Sequence, residues 1–240
     1  AGAVDHEELV ALAREKFGGF NSEPVAPESE ARYRGGETLR PKELMEAQVL
    51  IGFEGRPYKS KDYYAIQILA SVLGGGMSSR LFQEIREKHG LCYAIYSFHW
   101  AFSDTGLFGL HAATSQEDLA ALMPMIVDEL IAATQTITDE EVARSRAQIR
   151  AGLMMALESP AARAGQIARQ ILVHNRVLDP DEISSKIEAV TAADIRRVAH
   201  ETFVGTVPTL TAIGPVDGIM TADELAGRLQ QSPVLRAASM

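Results

Sequence analysis

The histidines are the residues of this 240-residue chain that would most readily bind a catalytic metal, and their spacing argues against such a role. Two histidines four residues apart on a helix, with a glutamate between them, hold zinc in many metallopeptidases. No pair here has that spacing, and neither H-E-x-x-H nor the inverted H-x-x-E-H occurs. We therefore expect a structural or solvent-exposed role for all six: His6, His89, His99, His111, His174 and His200.

His99 and His111 lie on two runs of alternating polarity that predict a β-hairpin. If Asp104–Thr105 forms the turn, His99 faces Leu110 and His111 faces Phe98, on opposite faces of the sheet. We therefore do not expect the two imidazoles to share a metal ion.

The elements that would position functional side chains are clearest from residue 74 onwards. Gly74–Gly76 is expected to end an apolar helix, because glycine reaches positive φ at little cost. Ser78 or Ser79 is expected to cap the next helix, and Gly90 to end it. The glycines lack the G-x-x-x-x-G-K-[ST] pattern and follow no strand, so we do not expect a nucleotide site.

After Gly90 the hydrophobic period changes to two, which predicts a half-buried strand. Aromatic residues alternate with small or polar ones along this strand. We expect the aromatic side to be sheet core and not a ligand platform. The aromatic residues are Tyr96, Phe98, Trp100 and Phe102, which alternate with Ser97, His99 and Ala101.

Strands grouped in the first half and helices grouped after them predict an α+β fold, with an antiparallel-rich sheet covered by helices on one face. Predicted strands are 48–54, 93–102, 106–114 and 209–213, and predicted helices include 7–17, 61–73, 79–89 and 222–229. Further helix starts are indicated by Thr114 with Glu117, Thr138 with Glu141, Thr191 with Asp194, Ser159–Pro160 and Asp179–Pro180.

Residues 74–102 resemble the second-half signature of the pitrilysin family of zinc metallopeptidases, particularly the branch of mitochondrial processing peptidase and its bacterial relatives. The resemblance extends to 2–9, 32–37 and 209–217. It implies the fold of one processing-peptidase-like metalloenzyme domain. Because family members hold zinc with H-x-x-E-H and a more distant glutamate, this chain resembles the half without the metal.

The resemblance implies the C-terminal domain of a zinc metalloendopeptidase that cleaves peptides or targeting segments. In that interpretation the full-length protein contains zinc in an N-terminal domain, while this half binds none, closes the chamber and is inactive alone. The alternative is a non-catalytic core-type or partner subunit of the same family, which acts in binding and assembly. An upstream H-x-x-E-H would distinguish the two.

Two site residues carry over by position, Arg86 near the end of the predicted helix and Tyr93 at the start of the strand. Their family counterparts reach across the interdomain cleft to the peptide bond. A guanidinium or hydroxyl there stabilises the charge that develops on the carbonyl oxygen, which is typically worth ~10² to 10³ in rate. Without the resemblance, Arg86 would simply complement a helix C-terminus and Tyr93 would be an ordinary strand aromatic.

A short sequence pattern that occurs twice in the chain predicts the domain organisation. Gly2–Asp5 precedes a helix just as Gly214–Asp217 does, but only Ala1 stands where the second copy has a strand. With the absent initiator methionine, this indicates that 1–20 is the C-terminal remnant of a preceding homologous domain. The proline-rich and glycine-rich segment 21–37 is expected to be an interdomain linker, and 38–240 the C-terminal peptidase-family domain.

The composition of the chain limits the classes of partner that it can bind. A net charge of -9 and a pI near 5.2 argue against nucleic acid. We expect a soluble protein of the bacterial cytoplasm or periplasm without a membrane span. The single cysteine, Cys92, is expected to be a small buried strand residue. Expected partners are the N-terminal zinc domain or a separate catalytic subunit, a peptide substrate, and a second chain in a homodimer or heterodimer.

Overall fold

The computed structural model describes residues 1–20 and 29–231. The described residues form five strands, eight α-helices and one π-helix. In chain order these are α1 (His6–Phe17), β1 (Gly36–Pro41), β2 (Ala47–Glu54), α2 (Tyr63–Gly74), the π-helix (Phe82–Lys88), β3 (Ala94–Ala101), β4 (Gly106–Thr114), α3 (Gln116–Thr136), α4 (Asp139–Glu158), α5 (Pro160–His174), α6 (Pro180–Glu188), α7 (Ala192–Phe203), β5 (Thr209–Gly214) and α8 (Ala222–Gln230).

The strands form one sheet in the order β1-β5-β2-β4-β3. β1 runs parallel to β5, and the other neighbouring pairs are antiparallel. Alternate residues of β2 and β4 are fully buried beneath α2, α3 and α7, so one face of the sheet is covered by helices. The predicted α+β architecture is therefore confirmed. The core of the covered face includes Val49, Ile51, Phe53, Phe108, Leu110 and Phe203.

Strand β1 was not predicted. It begins at Gly36 opposite Thr209, so the last two positions of the predicted linker belong to the sheet. Its residues are mostly exposed and polar, and they give none of the apolar alternation that reveals a half-buried strand. The linker prediction otherwise falls partly on residues 21–28, which lie outside the described part of the chain.

Most predicted helix starts are confirmed. Thr114 is an exception, because it ends β4 and its hydroxyl donates to the Leu91 carbonyl. Ser115 takes its place and accepts from the Asp118 backbone N–H. The confirmed starts are the capping boxes Thr138–Glu141 and Thr191–Asp194 and the N-caps Ser159 and Asp179, each followed by a proline.

The reason predicted for Gly74–Gly76 is wrong, because none of these residues has a positive φ. Gly74 is instead required by close packing: a Cβ there would overlap the backbone nitrogen of Ser97 on β3. The predicted serine cap is also absent, since the Ser79 hydroxyl donates to the Gly76 carbonyl at 2.6 Å. Gly90, with φ 66°, does end the helical segment as predicted.

The prediction that the aromatic residues of β3 are sheet core is wrong. Tyr96 and Trp100 are 47% and 57% exposed on the face that carries no helices, whereas Ser97, His99 and Ala101 are buried beneath α2. The alternation itself is confirmed. Its polarity is reversed because α2 covers the face that carries Ser97, and the two elements approach so closely at Gly74 that no large side chain fits at Ser97.

The β3–β4 register differs from the predicted one by two residues. The turn is centred on Ser103 and Asp104, and the Phe102 N–H donates to the Thr105 carbonyl. His99 therefore faces Phe108 and His111 faces Tyr96. The two histidines still lie on opposite faces of the sheet, as predicted.

Helix α3 is long and apolar enough to cross a membrane by length and composition alone, a property found in no other helix of the described residues. Leu119, Leu122, Ile126 and Leu130 on this helix are fully buried. α3 is therefore a core helix of this domain.

Candidate functional site at the start of strand β3

Arg86 and Tyr93 lie next to each other at the start of β3. The guanidinium carbon of Arg86 lies 4.5 Å from the ring centroid of Phe82 and 5.9 Å from that of Tyr93. Both distances are within the range of cation–π attraction. The tertiary structure thus brings together the two residues that the family resemblance singled out.

Arg86 is positioned by a π-helix, where the sequence predicted an α-helix over 79–89. Leu81 and Ile85 anchor the segment, because both side chains are fully buried in the core. After His89 the chain turns at Gly90, and the Leu91 N–H donates to the Ile85 carbonyl. Single π-turns often occur at functional sites, because they redirect side chains that an α-helix would place elsewhere.

Tyr93 is held by the end of β4. Its backbone N–H donates to the Ala113 carbonyl at 2.9 Å, and the Thr114 hydroxyl donates to the Leu91 carbonyl at 2.6 Å. These two bonds fix the short connection between the π-helix and β3. The Tyr93 side chain points outward and is 74% exposed.

Arg80 anchors the chain just before the π-helix. Its guanidinium forms a bidentate pair with Glu141 at 2.5 and 2.8 Å and also donates to the Thr136 carbonyl. Burial opposes ionisation of Glu141, but hydrogen bonds from Arg80 and the Thr138 backbone outweigh it and lower the pKa to about 2. The π-helix therefore starts from a fixed point at the α3–α4 corner.

Neither functional group has a polar partner within the described part of the fold. The Arg86 guanidinium and the Tyr93 hydroxyl make no ion pair or hydrogen bond with any residue that the structure describes. Two adjacent donors without an acceptor suit a ligand oxygen that carries or develops negative charge. Cys92 beside them is buried, as predicted, but it precedes β3 and is not a strand residue. Burial raises the pKa of its thiol to about 11, although Arg86 acts in the opposite direction.

Zinc does not fit this donor set. Zinc binds thiolate, imidazole or carboxylate groups, whereas the candidate site has a guanidinium, a phenol and a thiol that stays protonated at neutral pH. Within 1–20 and 29–231, no group of three histidine, cysteine, aspartate or glutamate residues is close enough together to hold a metal ion.

The buried histidine serves the fold. The Nε2 atom of His99 accepts from the Arg56 backbone N–H at 3.0 Å, and its Nδ1 atom lies 3.2 Å from the amide nitrogen of Gln67. Burial lowers the pKa of His99 to about 4, so the imidazole is neutral at pH 7. This bonding supports the structural role predicted for His99.

Sequence reasoning missed Phe82 and the Arg80–Glu141 pair. The available signal for Phe82 was its position four residues before Arg86, a spacing at which helical side chains meet. No comparable signal existed for Arg80 and Glu141, which are 61 residues apart in the sequence.

Comparison with known families decides the classification. The family model described as the peptidase M16 inactive domain matches residues 1–149. The chain belongs to the peptidase M16 family. This result confirms the resemblance to the inactive, C-terminal half of zinc metallopeptidases that the sequence motifs indicated.

Relatives of this M16 domain include proteins named as zinc proteases. The chain is 36% identical to an uncharacterized zinc protease of Rickettsia felis, covering 90% of the chain and 53% of the relative. It is 34% identical to one from Streptomyces coelicolor, covering 97% and 51%. It is 30% identical to a probable mitochondrial-processing peptidase subunit beta of Schizosaccharomyces pombe, covering 97% and 54%. The chain thus spans about half the length of these curated relatives.

The fold also matches a solved structure. A chain in complex III2 from Candida albicans, bound to Inz-5, superposes with a TM-score of 0.83 at 20% identity, covering 94% of this chain and 56% of that one. At this identity the likeness establishes a shared fold.

Proposed function

We propose that this M16 domain is the C-terminal half of a zinc metalloendopeptidase that cleaves peptides or targeting segments. The zinc site would lie in a preceding homologous domain or a separate catalytic subunit, and this half would close the substrate chamber. Relatives named as zinc proteases, each about twice as long as this chain, support the proposal. So does the lack of zinc donors at the candidate site.

The observation that carries the proposal is the pairing of Arg86 and Tyr93. The two residues converge on one surface although they come from different elements, and neither functional group has a polar partner among the described residues. A guanidinium and a phenol placed beside a scissile carbonyl would stabilise its developing negative charge without moving during the reaction. Stacking on Phe82 would hold the guanidinium ready for that contact.

The domain boundaries follow from the same proposal. Helix α1 buries none of its residues against the rest of the chain, which suits a segment that belongs to a preceding domain. Residues 1–20 would complete that domain, and 38–240, together with Gly36 and Glu37 of β1, would form this one.

The test uses the complete native protein, with the zinc-bearing part present. Arg86→Ala and Tyr93→Phe should each lower kcat by ~10² to 10³, the usual effect of losing one such donor. Zinc content should stay unchanged, and stability should fall by at most about 1 kcal/mol, the contribution of an exposed cation–π contact, because the fold forms no hydrogen bond or ion pair with either group. The measurement is steady-state hydrolysis of a fluorogenic peptide, with zinc determined by atomic absorption.

Matched controls exist for both variants. Tyr96→Phe removes a hydroxyl from an exposed tyrosine three residues further along, and Arg150→Ala removes an exposed arginine of α4 whose only described partner is Glu188. Both should retain wild-type kcat. Full activity in Arg86→Ala and Tyr93→Phe would refute the proposed roles.

Zinc content and peptide hydrolysis of the same preparation distinguish the proposal from its alternative, a non-catalytic partner subunit. A complete protein that contains no zinc and whose peptide hydrolysis requires no second chain would contradict both interpretations. A protein that lacks zinc and gains activity only with a zinc-bearing partner would place the zinc site in a separate catalytic subunit, and Arg86 and Tyr93 would then be tested in that complex. A protein that lacks zinc and hydrolyses no peptide even with such a partner would establish the alternative.

A further inference from the structure

A large cavity lies on the helical side of the domain, between α2 and α5, and no residue of the candidate site lines it. Its volume is about 1320 Å³. Helix α5 buries only Gln170, whose side-chain oxygen accepts from the Leu178 N–H at 3.0 Å. The cavity therefore exists because α5 packs on α4 and leaves a space above α2. Apolar side chains line its interior, among them Ile68, Ile149, Leu153, Val173 and Ile183.

The side chains that line this cavity include positive charges without an ion-pair partner, whereas the negative charges of the lining are paired. Lys59, Lys61 and Arg169 line it and make no ion pair with any described residue. The acidic residues in the lining, Asp62 and Asp194, both pair with Arg197, at 2.6 and 3.7 Å. On a chain with a net charge of -9, a cavity whose unpaired charges are all cationic is a local exception.

Lys186 and Arg197 also line the cavity but are paired with carboxylates, and two further polar groups of the lining, Tyr64 and His174, are neutral. Burial raises the pKa of the Tyr64 hydroxyl to about 12, so it stays protonated. Burial, with Lys186 and Lys59 next in effect, lowers the pKa of His174, so this imidazole stays uncharged at pH 7. These groups offer hydrogen bonds but add no negative charge to the cavity.

We propose that this cavity binds a single-chain amphiphile with an apolar body and an anionic head group. The apolar body would lie along the interior wall, and the head group would meet Arg169 and the two lysines. A neutral hydrocarbon would leave those cations unpaired, and a small hydrophilic anion would leave the apolar wall uncovered. Ligand sites in proteins usually combine a mostly apolar wall with a few charged or polar groups in this way.

The first test compares head groups on one alkyl chain. Isothermal titration calorimetry of the complete protein should show saturable binding of laurate and of dodecyl phosphate, both below their critical micelle concentrations. Dodecyltrimethylammonium, which has the same chain and the opposite charge, should not bind. Equal binding of the cationic amphiphile, or no binding of either anionic one, would overturn the proposal.

Two variants locate the binding. Arg169→Ala should weaken laurate binding about tenfold, the effect of one lost hydrogen bond to a charged group. Leu153→Trp should also weaken laurate binding, because the larger side chain narrows the apolar wall of the cavity. Arg144→Ala removes an exposed arginine of α4 outside the lining, and Met155→Trp adds the same bulk at an exposed position of α4 outside the lining.

Both control variants should bind like the wild type. Thermal unfolding checks that Leu153→Trp folds, and Ile149→Trp replaces it if it does not. Laurate binding that is unchanged in both Arg169→Ala and the folded tryptophan variant would place the ligand elsewhere and refute the assignment of this cavity.

Discussion

The two faces of the sheet differ in burial in a way that their residue types do not indicate. On the covered face Phe108 and Leu110 are fully buried, and their neighbours on β3 are the small or polar Ser97 and His99. On the open face Tyr96 and Trp100 of β3 are about half exposed. Aromatic content therefore does not identify the core face. The face on which the helices pack is the core, and its residues must fit beneath them.

Close packing explains the contrast. α2 approaches β3 at Gly74, and the Ser97 hydroxyl donates to the Ala70 carbonyl at 2.8 Å. No large side chain fits there. On the open face the ring of Phe98 covers Gly109 and packs against Trp100, with 4.6 Å between ring centroids. The aromatic residues there cover the backbone of the sheet itself.

The two faces should differ most in how much free energy of unfolding is lost when an aromatic side chain is replaced by alanine. Phe108→Ala should lower the free energy of unfolding by about 3 to 5 kcal/mol, because it leaves a cavity beneath Phe53 and Phe203. Trp100→Ala should cost about 1 kcal/mol, since it loses one aromatic stacking contact at an exposed site. Urea denaturation followed by circular dichroism measures both. Equal losses would mean that the open face is as much a core as the covered one.

The second expected difference is in acid sensitivity. The folded-state pKa of His99 is about 4 and the ordinary value is 6.5, so the unfolded chain binds a proton that the folded chain does not. The stability from neutral His99 is complete above pH 6.5 and lost as the pH falls towards 4, on the order of 3 kcal/mol. His99→Gln should therefore lose less stability than the wild type between those pH values.

His111, on the open face, is the control for this measurement. Burial also lowers its pKa, but less, and its Nε2 atom pairs with Gln48 at the surface of the sheet. His111→Gln should change the pH dependence of unfolding less than His99→Gln does. The reverse order would show that the open face is the better protected from water.

The smallest expected difference concerns two glycines. Gly74→Ala should cost about 1 to 3 kcal/mol, because the added methyl meets the backbone of Ser97, which cannot move without shifting β3. Gly109→Ala places its methyl nearest to the ring end of Phe98, a side chain that can move without shifting a strand. It should cost less, and thermal unfolding of the two variants gives the order. A greater loss for Gly109→Ala would mean that Phe98 is held as firmly as the core.

Much of the fold was predictable because its signals are local. Thr138 with Glu141 and Thr191 with Asp194 start helices because a capping box needs only four consecutive residues. The period of two after Gly90 identified β3 for the same reason. Strand β1 was missed because it is stabilised by pairing with β5, far along the chain, and not by its own pattern.

The candidate site was predictable only in part. Family motifs indicated Arg86 and Tyr93, and the four-residue spacing of Phe82 and Arg86 was the available signal for their contact, but nothing in the sequence showed that a π-helix would replace an α-helix. Arg80 and Glu141 meet only after α3 and the sheet have packed, because 61 residues separate them. A pattern confined to neighbouring residues cannot encode a contact of that separation.

The sequence by itself determined the family, the α+β class, most helix starts and the alternation along β3, because each depends on neighbouring residues or short motifs. Only the tertiary structure decided which face of β3 is buried, which residues anchor Arg86, and that a cavity remains between α2 and α5. Those features depend on the volume left when separate elements pack together. Local polarity does not contain that information.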